Sequence, residues 1–545
     1  MLMNDNTNNS FIDRIEKLNQ IGISLSAEKD INKILETILM GAKHLTYADG
    51  GTIYLLNKNK ELEFEVLCTS SLNIRMGGST GKKITFPPIP LYTADGEPNN
   101  DMVVTHTILN DSTINIPDAY NEKSFDLSGT YEFDKKTGYH SKSFLTVPMK
   151  DHANEFIGVL QLLNATDPAT DCVKAFSEED QQLVESLASQ AAVSITNQRL
   201  LQEQKTLFDS FINLLAVAID EKSPYNGGHC KRVPELTMML AEACNQSDND
   251  YLKQFSLSED DRYELEIAAW LHDCGKITTP EYVVDKSTKL ETIYDRIHTI
   301  DTRFVALKNE YEINYLKQKI VACENGRKEQ SLVLEKEYHR KVKKLEEDRE
   351  FIRVANVGGE FMSPSHQERV QDISQYQWTN VDGKKENFLN ENEIKNLLIP
   401  RGTLTEEERN VINNHIVMTI KMLESLPFPK HLKNVSEYAG GHHERMDGKG
   451  YPKGLTREQM SIQARIMAIA DIFEALTASD RPYKKAKTLS ESLFILGKMK
   501  QNQHIDPDLF KVFIDQKIYL SYGEKFLGPE QIDEVIKEDI PGYLD

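Results

Sequence analysis

The chain has 545 residues, of which 39% are apolar and 27% are charged, and its formal net charge is −21. This length exceeds what one ordinary hydrophobic core organises, so two or three domains are expected. The negative charge argues against a nucleic-acid polymer as the main partner, because binding a phosphate backbone requires a basic surface.

Cysteine usage and hydropathy indicate a cellular compartment. The six cysteines are scattered without a Cys-x-x-Cys pair, which predicts reduced thiols rather than a disulfide framework. The first ten residues are polar, unlike a signal peptide, and no window approaches the ~18 uninterrupted apolar residues of a membrane span. A cytoplasmic protein without a membrane segment is therefore expected.

The first part of the chain predicts an α+β module. Apolar residues recur at helical spacing over residues 11–48, which predicts helices there. Residues 1–28 are expected to form an N-terminal helical segment that precedes the first domain. Apolar stretches at 52–56 and 62–66, separated by Asn-Lys-Asn-Lys, predict a β-hairpin. After a polar loop region from about 75 to 140, further strands are predicted at 143–149 and 156–163.

Residues 29–197 resemble a GAF domain. The resemblance rests on a predicted turn at 49–52 (Asp-Gly-Gly-Thr), on 115–120 (Asn-Ile-Pro-Asp-Ala-Tyr) and on 137–139 (Thr-Gly-Tyr) before the strand at 145–149. It implies either a pocket for a small-molecule ligand, whose identity the sequence does not specify, or a module used only for dimerisation.

One long helix is predicted from Ser177 to about Asp220, and its part 198–220 is expected to connect the two domains. Its apolar residues follow a near-heptad pattern: Leu183, Leu187, Ala191, Val193, Ile195, Leu200, Leu207, Phe211, Leu214 and Leu215. Such a helix is expected to pair with its copy in a parallel homodimer. The alternative is that the stripe packs on the chain's own domains.

The second domain, expected at 205–535, is mostly helical in pattern and carries an insertion at 291–400. Residues 303–350 are rich in Glu and Lys, with apolar residues at helical intervals. A helical hairpin or coiled coil is predicted there, with a reversal at Asn325-Gly326. A self-packed hairpin is favoured over a partner-binding surface.

Two polar clusters predict a metal centre. One begins with His442 and His443 and continues to a Gly-Tyr-Pro sequence at 450–452; the other, about 170 residues earlier, is His-Asp-Cys-Gly-Lys at 272–276. Imidazole and carboxylate ligands suit divalent metals such as Mn or Fe. Asp471 lies in an otherwise apolar helix, where a carboxylate is costly unless it is paired or binds a metal. These residues indicate a hydrolase that cleaves phosphoesters.

The second domain resembles the HD-GYP subfamily of HD-domain phosphohydrolases over residues 210–515, apart from the insertion. Four motifs carry this resemblance in order along the chain. They are Gly-His-Cys-Lys-Arg-Val at 228–233, the His-Asp cluster at 272–276, the Gly-Tyr-Pro cluster and Ser-Asp-Arg-Pro-Tyr-Lys-Lys at 479–485.

The resemblance implies an all-α domain that holds two divalent metal ions, Fe or Mn. The implied ligands are His229, His272, Asp273, His415, His442, His443 and Asp471. Asp273 would bridge the two metals and take part in catalysis, and a hydroxide held between two such metals can attack a phosphoester. Lys276 would neutralise charge on the phosphate.

Four further residues are expected to contact substrate. Arg481 and Lys484 would hold the second phosphate or a base, while Gly450 and Tyr451 would shape the substrate loop.

Three departures from the family pattern bear on these roles. The Pro and Gly that usually follow the corresponding histidine in the family are absent after His415. Tyr225 occupies the position at which some members carry a Glu that binds a third metal, so two metals are expected. Phe473-Glu474 replaces the common Tyr-Asp and keeps the acidic character.

The resemblance implies a metal-dependent phosphodiesterase that hydrolyses cyclic di-GMP to linear pGpG, GMP or both, under regulation by the GAF-like domain. Two alternatives stay open. The substrate is another cyclic dinucleotide or a simple nucleotide, or the protein is a receptor that binds a cyclic dinucleotide without hydrolysing it.

Overall fold

The structure, a computed structural model, describes residues 3–222, 228–253, 255–359, 361–479 and 486–543, with side chains from residue 12 onwards. The chain divides into two compact units, Met1–Phe208 and Asp209–Asp545. The first combines an antiparallel sheet with helices, as the predicted α+β module does, and the second is mostly helical, as the sequence predicts.

The first unit is built on an antiparallel sheet with strand order β3-β2-β1-β7-β6-β5, to which β4 and β8 add at β2 and β7. Its strands are β1 (Ala48–Leu56), β2 (Glu61–Thr69), β3 (Ile74–Gly77), β4 (Ile89–Pro90), β5 (Ile114–Ile116), β6 (Phe144–Lys150), β7 (Phe156–Thr166) and β8 (Val173–Lys174). Its helices are α1 (Met3–Ala27), α2 (Ile31–Thr46), α3 (Val103–Leu109), α4 (Ser128–Thr137) and α5 (Glu178–Lys222), which continues into the second unit.

The predicted hairpin and later strands are confirmed as β1–β2 and β6–β7. The turn predicted at 49–52 is wrong, because these residues lie within β1. A Cβ on Gly51 would lie 2.9 Å from the Gln161 carbonyl oxygen and 2.8 Å from Leu39, so glycine here permits the close approach of β7 and α2. The region from 75 to 140 also contains short helices and strands, which are too brief to show a period in the sequence.

The long helix α5 is confirmed, and its two parts differ in their environment. Leu183, Leu187, Ala191 and Ile195 are buried in the core that α2 and the sheet share. By contrast Leu200, Leu207, Phe211 and Leu214 are 52%, 69%, 59% and 61% exposed. The first part therefore packs on its own domain, whereas the second part leaves a row of apolar side chains in solvent.

Thirteen further helices and one two-stranded sheet are described in the second unit within residues 228–543. The helices are α6 (His229–Asn245), α7 (Glu259–Leu271), α8 (Glu281–Val284), α9 (Ile297–Glu324), α10 (Lys328–Val357), α11 (Pro364–Ser374), α12 (Glu391–Leu397), α13 (Glu406–Glu424), α14 (Val435–Gly440), α15 (Ile462–Thr477), α16 (Leu489–Gln501), α17 (Pro507–Asp515) and α18 (Ile518–Phe526). The strands β9 (Gln377–Thr379) and β10 (Lys385–Asn387) pair antiparallel.

The insertion forms the predicted helical hairpin. Helices α9 and α10 run antiparallel, and the rings of Tyr315 and Tyr338 stack at 4.7 Å between them. The base of this hairpin, α11, α12 and β9 share a core that includes Phe304, Ile352 and Phe388. The hairpin is therefore packed on itself and on the rest of the insertion. No described helix is long and apolar enough to cross a lipid bilayer.

Candidate metal centre

Five segments that are distant in sequence bring the predicted metal ligands together. His229 is the first residue of α6, and His272 and Asp273 follow α7 directly. His415 lies on α13, and the two adjacent histidines follow α14. Asp471 lies on α15.

The donor atoms form two groups, His229 with His272 and Asp273, and His415 with His442 and His443; within each group they lie within 4.8 Å of one another. Asp273 contacts both groups. Its Oδ2 lies 3.3 Å from Nε2 of His229 and 3.3 Å from Nε2 of His272, while its Oδ1 lies 3.2 Å from Nε2 of His415.

Asp471 adds a second carboxylate to the first group. Its Oδ1 lies 3.4 Å from Nε2 of His229 and 3.8 Å from Nε2 of His272. The nearby imidazoles hold the pKa of Asp471 well below its usual range in spite of its burial. This lowered pKa favours the ionised carboxylate, which is the form that binds a cation.

Three of the histidines are oriented by the backbone. Nδ1 of His272, His415 and His442 donates to the carbonyl three residues earlier, at 2.7, 2.5 and 2.6 Å. In a neutral ring, this hydrogen bond keeps the proton on Nδ1 and leaves Nε2 unprotonated. An unprotonated ring nitrogen can bind a metal through its lone pair. Among the described residues, Nε2 of all three and of His229 is buried without a hydrogen-bond partner, as is Oδ1 of Asp273. These atoms fit divalent metal ions.

The carboxylates place negative charge beside the histidines of the first group. Burial favours neutral imidazole, yet Glu474 and Asp273 raise the pKa of His229 to about 9. Similarly, Asp273 and Asp471 outweigh burial and raise the pKa of His272 to about 10. At His443, burial outweighs the attraction of Asp471 and Asp273 and lowers the pKa to about 4. The same negative charges that attract protons to the first group would attract a metal ion.

Glu474 supports His229 from the second ring nitrogen. Its Oε2 contacts Nδ1 of His229, and its Oε1 accepts from Arg232 at 2.7 Å. Its side chain is 1% exposed. A buried carboxylate on the distal nitrogen orients a metal-binding histidine and makes it more basic.

Lys276 lies beside Asp273, with Nζ 2.5 Å from its Oδ2. The backbone between them is held against α13. Gly275 donates its N–H to Oγ1 of Thr419 at 2.9 Å, and a Cβ on Gly275 would lie 2.0 Å from the His415 carbonyl oxygen. Glycine at this position therefore allows the two ligand-bearing segments to approach.

The Gly-Tyr-Pro loop is built around Glu444, which is buried. Its carboxylate accepts from the backbone N–H groups of Lys453 at 2.7 Å and Leu455 at 2.9 Å. A Cβ on Gly450 would lie 2.4 Å from the Arg445 nitrogen. The Tyr451 ring stacks on the His443 ring with centroids 4.8 Å apart, so the loop covers the second group.

The remaining predicted substrate residues, Arg481 and Lys484, lie outside the described residues, as does Tyr225. Four residues that contribute to the site were not among the predicted site residues: Arg232, Thr419, Glu444 and Glu474. Helical spacing could have indicated two of them. Glu474 lies three positions after Asp471 and Thr419 lies four after His415, so each shares a helix face with a predicted ligand.

Comparison with protein families assigns both parts of the chain. The GAF domain family matches residues 30–195, and two HD domain families match residues 226–356 and 392–509. The matched HD segments contain all seven predicted metal ligands.

Relatives of named activity match about a fifth of this chain, less than the family models cover. A 3'3'-cGAMP-specific phosphodiesterase of Vibrio cholerae is 38% identical over 121 residues, which are 22% of this chain and 25% of that protein. A cyclic di-GMP phosphodiesterase of Pseudomonas aeruginosa is 38% identical over 113 residues, or 21% of this chain and 26% of the relative. The match therefore spans about a quarter of each relative's length. The chain therefore carries a GAF domain followed by a region that matches the HD domain.

Proposed function

We propose that this protein is a metal-dependent phosphodiesterase that hydrolyses cyclic di-GMP to the linear dinucleotide, GMP or both. The observation that carries the proposal is the set of buried Nε2 atoms around Asp273, which have no hydrogen-bond partner among the described residues. Buried polar atoms without a partner are costly in a structure that has no ligand for them.

His229, His272, Asp273 and Asp471 would hold one divalent cation, and His415, His442 and His443 would hold another, with Asp273 shared between them. Fe and Mn both suit this ligand set. When bound, two such cations activate a water and stabilise negative charge on a phosphate.

The protein's own residues would position the substrate. Two divalent cations carry more positive charge than Asp273 and Asp471 neutralise, so the site would attract an anionic phosphodiester although the chain as a whole is acidic. Lys276, with a side chain 28% exposed, could reach a phosphate oxygen and offset the charge that develops during cleavage. The Gly-Tyr-Pro loop would shape the wall of the site through Tyr451.

The choice of substrate rests on the relatives. Those reported above are named for cyclic di-GMP in one case and for 3'3'-cGAMP in the other, so both compounds are candidates. Cyclic di-GMP is the first choice because the motif set resembles HD-GYP proteins. Hydrolysis of 3'3'-cGAMP is the second.

The GAF domain would regulate turnover, through an unidentified small ligand, by shifting the position of α5. The exposed row of Leu200, Leu207, Phe211 and Leu214 supports pairing of this helix with its copy in a homodimer. A ligand can shift such an equilibrium only if it binds one arrangement more tightly than the other.

The test is anaerobic purification with metal analysis, followed by incubation with cyclic di-GMP and with 3'3'-cGAMP and chromatography of the products. Asp273→Ala removes the shared carboxylate, and Asp382→Ala, at an exposed turn of the second unit, is the matched control. We expect about two metals per chain and product from the wild type and from Asp382→Ala, but not from Asp273→Ala.

Faster turnover of 3'3'-cGAMP than of cyclic di-GMP would reassign the substrate. Tight binding of either compound without product, at full Mn or Fe occupancy, would contradict the phosphodiesterase and support a receptor.

A further inference from the structure

The last turn of α5 contacts two segments that carry candidate site residues. We propose that Asp220 and Lys222 are positioning residues: Asp220 holds the start of α6, which carries His229, and Lys222 holds the 3-10 helix Cys274–Thr278, which carries Lys276. The catalytic part of this inference rests on the proposed function.

Lys222 binds a cluster of backbone carbonyls. Its Nζ donates to the carbonyl oxygens of Lys276 at 3.1 Å and Thr279 at 2.7 Å, and also to that of Ile277. All three protons of the ammonium group are thereby used. The Lys276 carbonyl also accepts the N–H of Thr279 at 3.0 Å. Carbonyls at the end of a helical turn carry partial negative charge, so a cation stabilises them. Lys222 thus fixes the backbone on both sides of Ile277, next to Lys276.

Asp220 binds the N-terminal end of a helix, α6, whereas Lys222 binds carbonyls at the C-terminal end of the 3-10 helix. Its carboxylate accepts from the N–H of Gly228 at 3.1 Å and from the N–H of Cys230 at 3.2 Å. These two residues flank His229 in the chain. The first N–H groups of a helix have no intrahelical acceptor, and a carboxylate there is favourable. Asp220 thus fixes the backbone that places His229.

The two contacts act on different parts of the site. Asp220 supports a residue that would bind metal, whereas Lys222 supports a residue that would contact phosphate. Glu221, between them, is exposed. Because Asp220 and Lys222 share one helical turn, a displacement of that turn would reposition His229 and Lys276 together.

The experiment compares Lys222→Met, Lys222→Arg, Asp220→Ala and the matched control Glu221→Gln in the full chain. For Lys222→Met we expect faster amide hydrogen exchange at residues 274–279 and about a tenfold lower kcat, with KM and metal content unchanged. Lys222→Arg should recover most of the loss, because a guanidinium can also donate to several carbonyls.

Asp220→Ala should show a different result. We expect about tenfold weaker Mn²⁺ affinity by titration calorimetry and faster exchange at residues 229–233, since the His229 backbone loses its support. If this variant does not fold, Asp220→Asn, which keeps one acceptor oxygen, replaces it. Glu221→Gln should match the wild type in every measurement.

Exchange and Mn²⁺ affinity separate this inference from the proposed function. If the wild type cleaves no cyclic dinucleotide, the phosphodiesterase proposal fails, while these two measurements still decide whether the residues position the site. Unchanged exchange at 274–279 in Lys222→Met, or unchanged Mn²⁺ affinity in Asp220→Ala, would overturn the corresponding role. Equal effects in Glu221→Gln would overturn both.

Discussion

The Glu474 carboxylate contacts Nδ1 of His229, while Nε2 of the same ring lies between Asp273 and Asp471. One histidine thus has a carboxylate on one nitrogen and the candidate metal position at the other. Such an arrangement sets the orientation of the ring and the tautomer that it would present to a metal ion. His229 and Arg232, which donates to the other oxygen of Glu474, outweigh burial and lower the pKa of that carboxyl.

Glu474→Gln should therefore weaken metal binding. We expect the affinity for Mn²⁺ to fall about 10–100-fold, since the ring loses its charged partner although no ligand is removed. Titration calorimetry with Mn²⁺ on chelator-treated protein measures this change. Glu458→Gln, at an exposed position of the same unit, is the control. Equal affinity in the wild type and in Glu474→Gln would contradict the orienting role.

Gly450→Ala should disrupt the Gly-Tyr-Pro loop. The new methyl group would lie 2.4 Å from both the Arg445 nitrogen and the Glu444 Cα, so backbone must move. We expect a loss of about 1–3 kcal/mol in the free energy of unfolding and lower activity, measured by urea denaturation and product chromatography. Gly359→Ala is the control, because its added Cβ meets no described atom within 4 Å apart from its chain neighbours. A fully active and stable Gly450→Ala would show that the loop tolerates the displacement.

Lys289 should make the stability of the insertion depend on pH. Its side chain is fully buried, and Nζ donates to the carbonyl oxygens of Leu397 at 3.1 Å and Ile399 at 2.7 Å. Burial lowers its pKa from 10.5 to about 8. Between these values the unfolded chain binds more protons than the folded chain, so stability rises with pH, by at most about 1.4 kcal/mol per pH unit.

This pH effect can be isolated with a variant. Urea unfolding is followed by Trp378 fluorescence in a Trp270→Phe background at pH 7.5 and pH 9.5. We expect the gain in unfolding free energy between these pH values to be smaller in Lys289→Met than in the parent. Lys317→Met, at an exposed position of α9, should retain the parent's gain. The same gain in Lys289→Met would mean that other groups cause the pH dependence.

Leu207→Lys should weaken the proposed homodimer. Leu207 is 69% exposed and lies seven residues from both Leu200 and Leu214, so a charge there interrupts the apolar row. Analytical ultracentrifugation should show a dimer for the wild type and a shift towards monomer for Leu207→Lys. Gln202→Lys adds the same charge at an exposed position on the opposite side of α5 and should leave the mass unchanged. A monomeric wild type would contradict the dimer.

The sequence by itself determined the fold class and the chemistry of the candidate centre. Helical and strand periods are local properties, so α5, β1–β2, β6–β7 and the hairpin α9–α10 could be predicted from them. His272, Asp273 and His442 could be identified because their motifs combine residue types that bind metals.

Only the tertiary structure decided which residues support these ligands. Glu474 and Thr419 act through contacts with residues far away in sequence, His229 and Gly275. Helical spacing places them on the same faces as Asp471 and His415, but it does not identify these distant partners. The placement of Gly51 inside a strand likewise depends on how closely β7 and α2 approach. Whether the apolar residues of α5 are buried depends on where the sheet and α2 end, which is why Leu187 is in the core and Leu207 is in solvent.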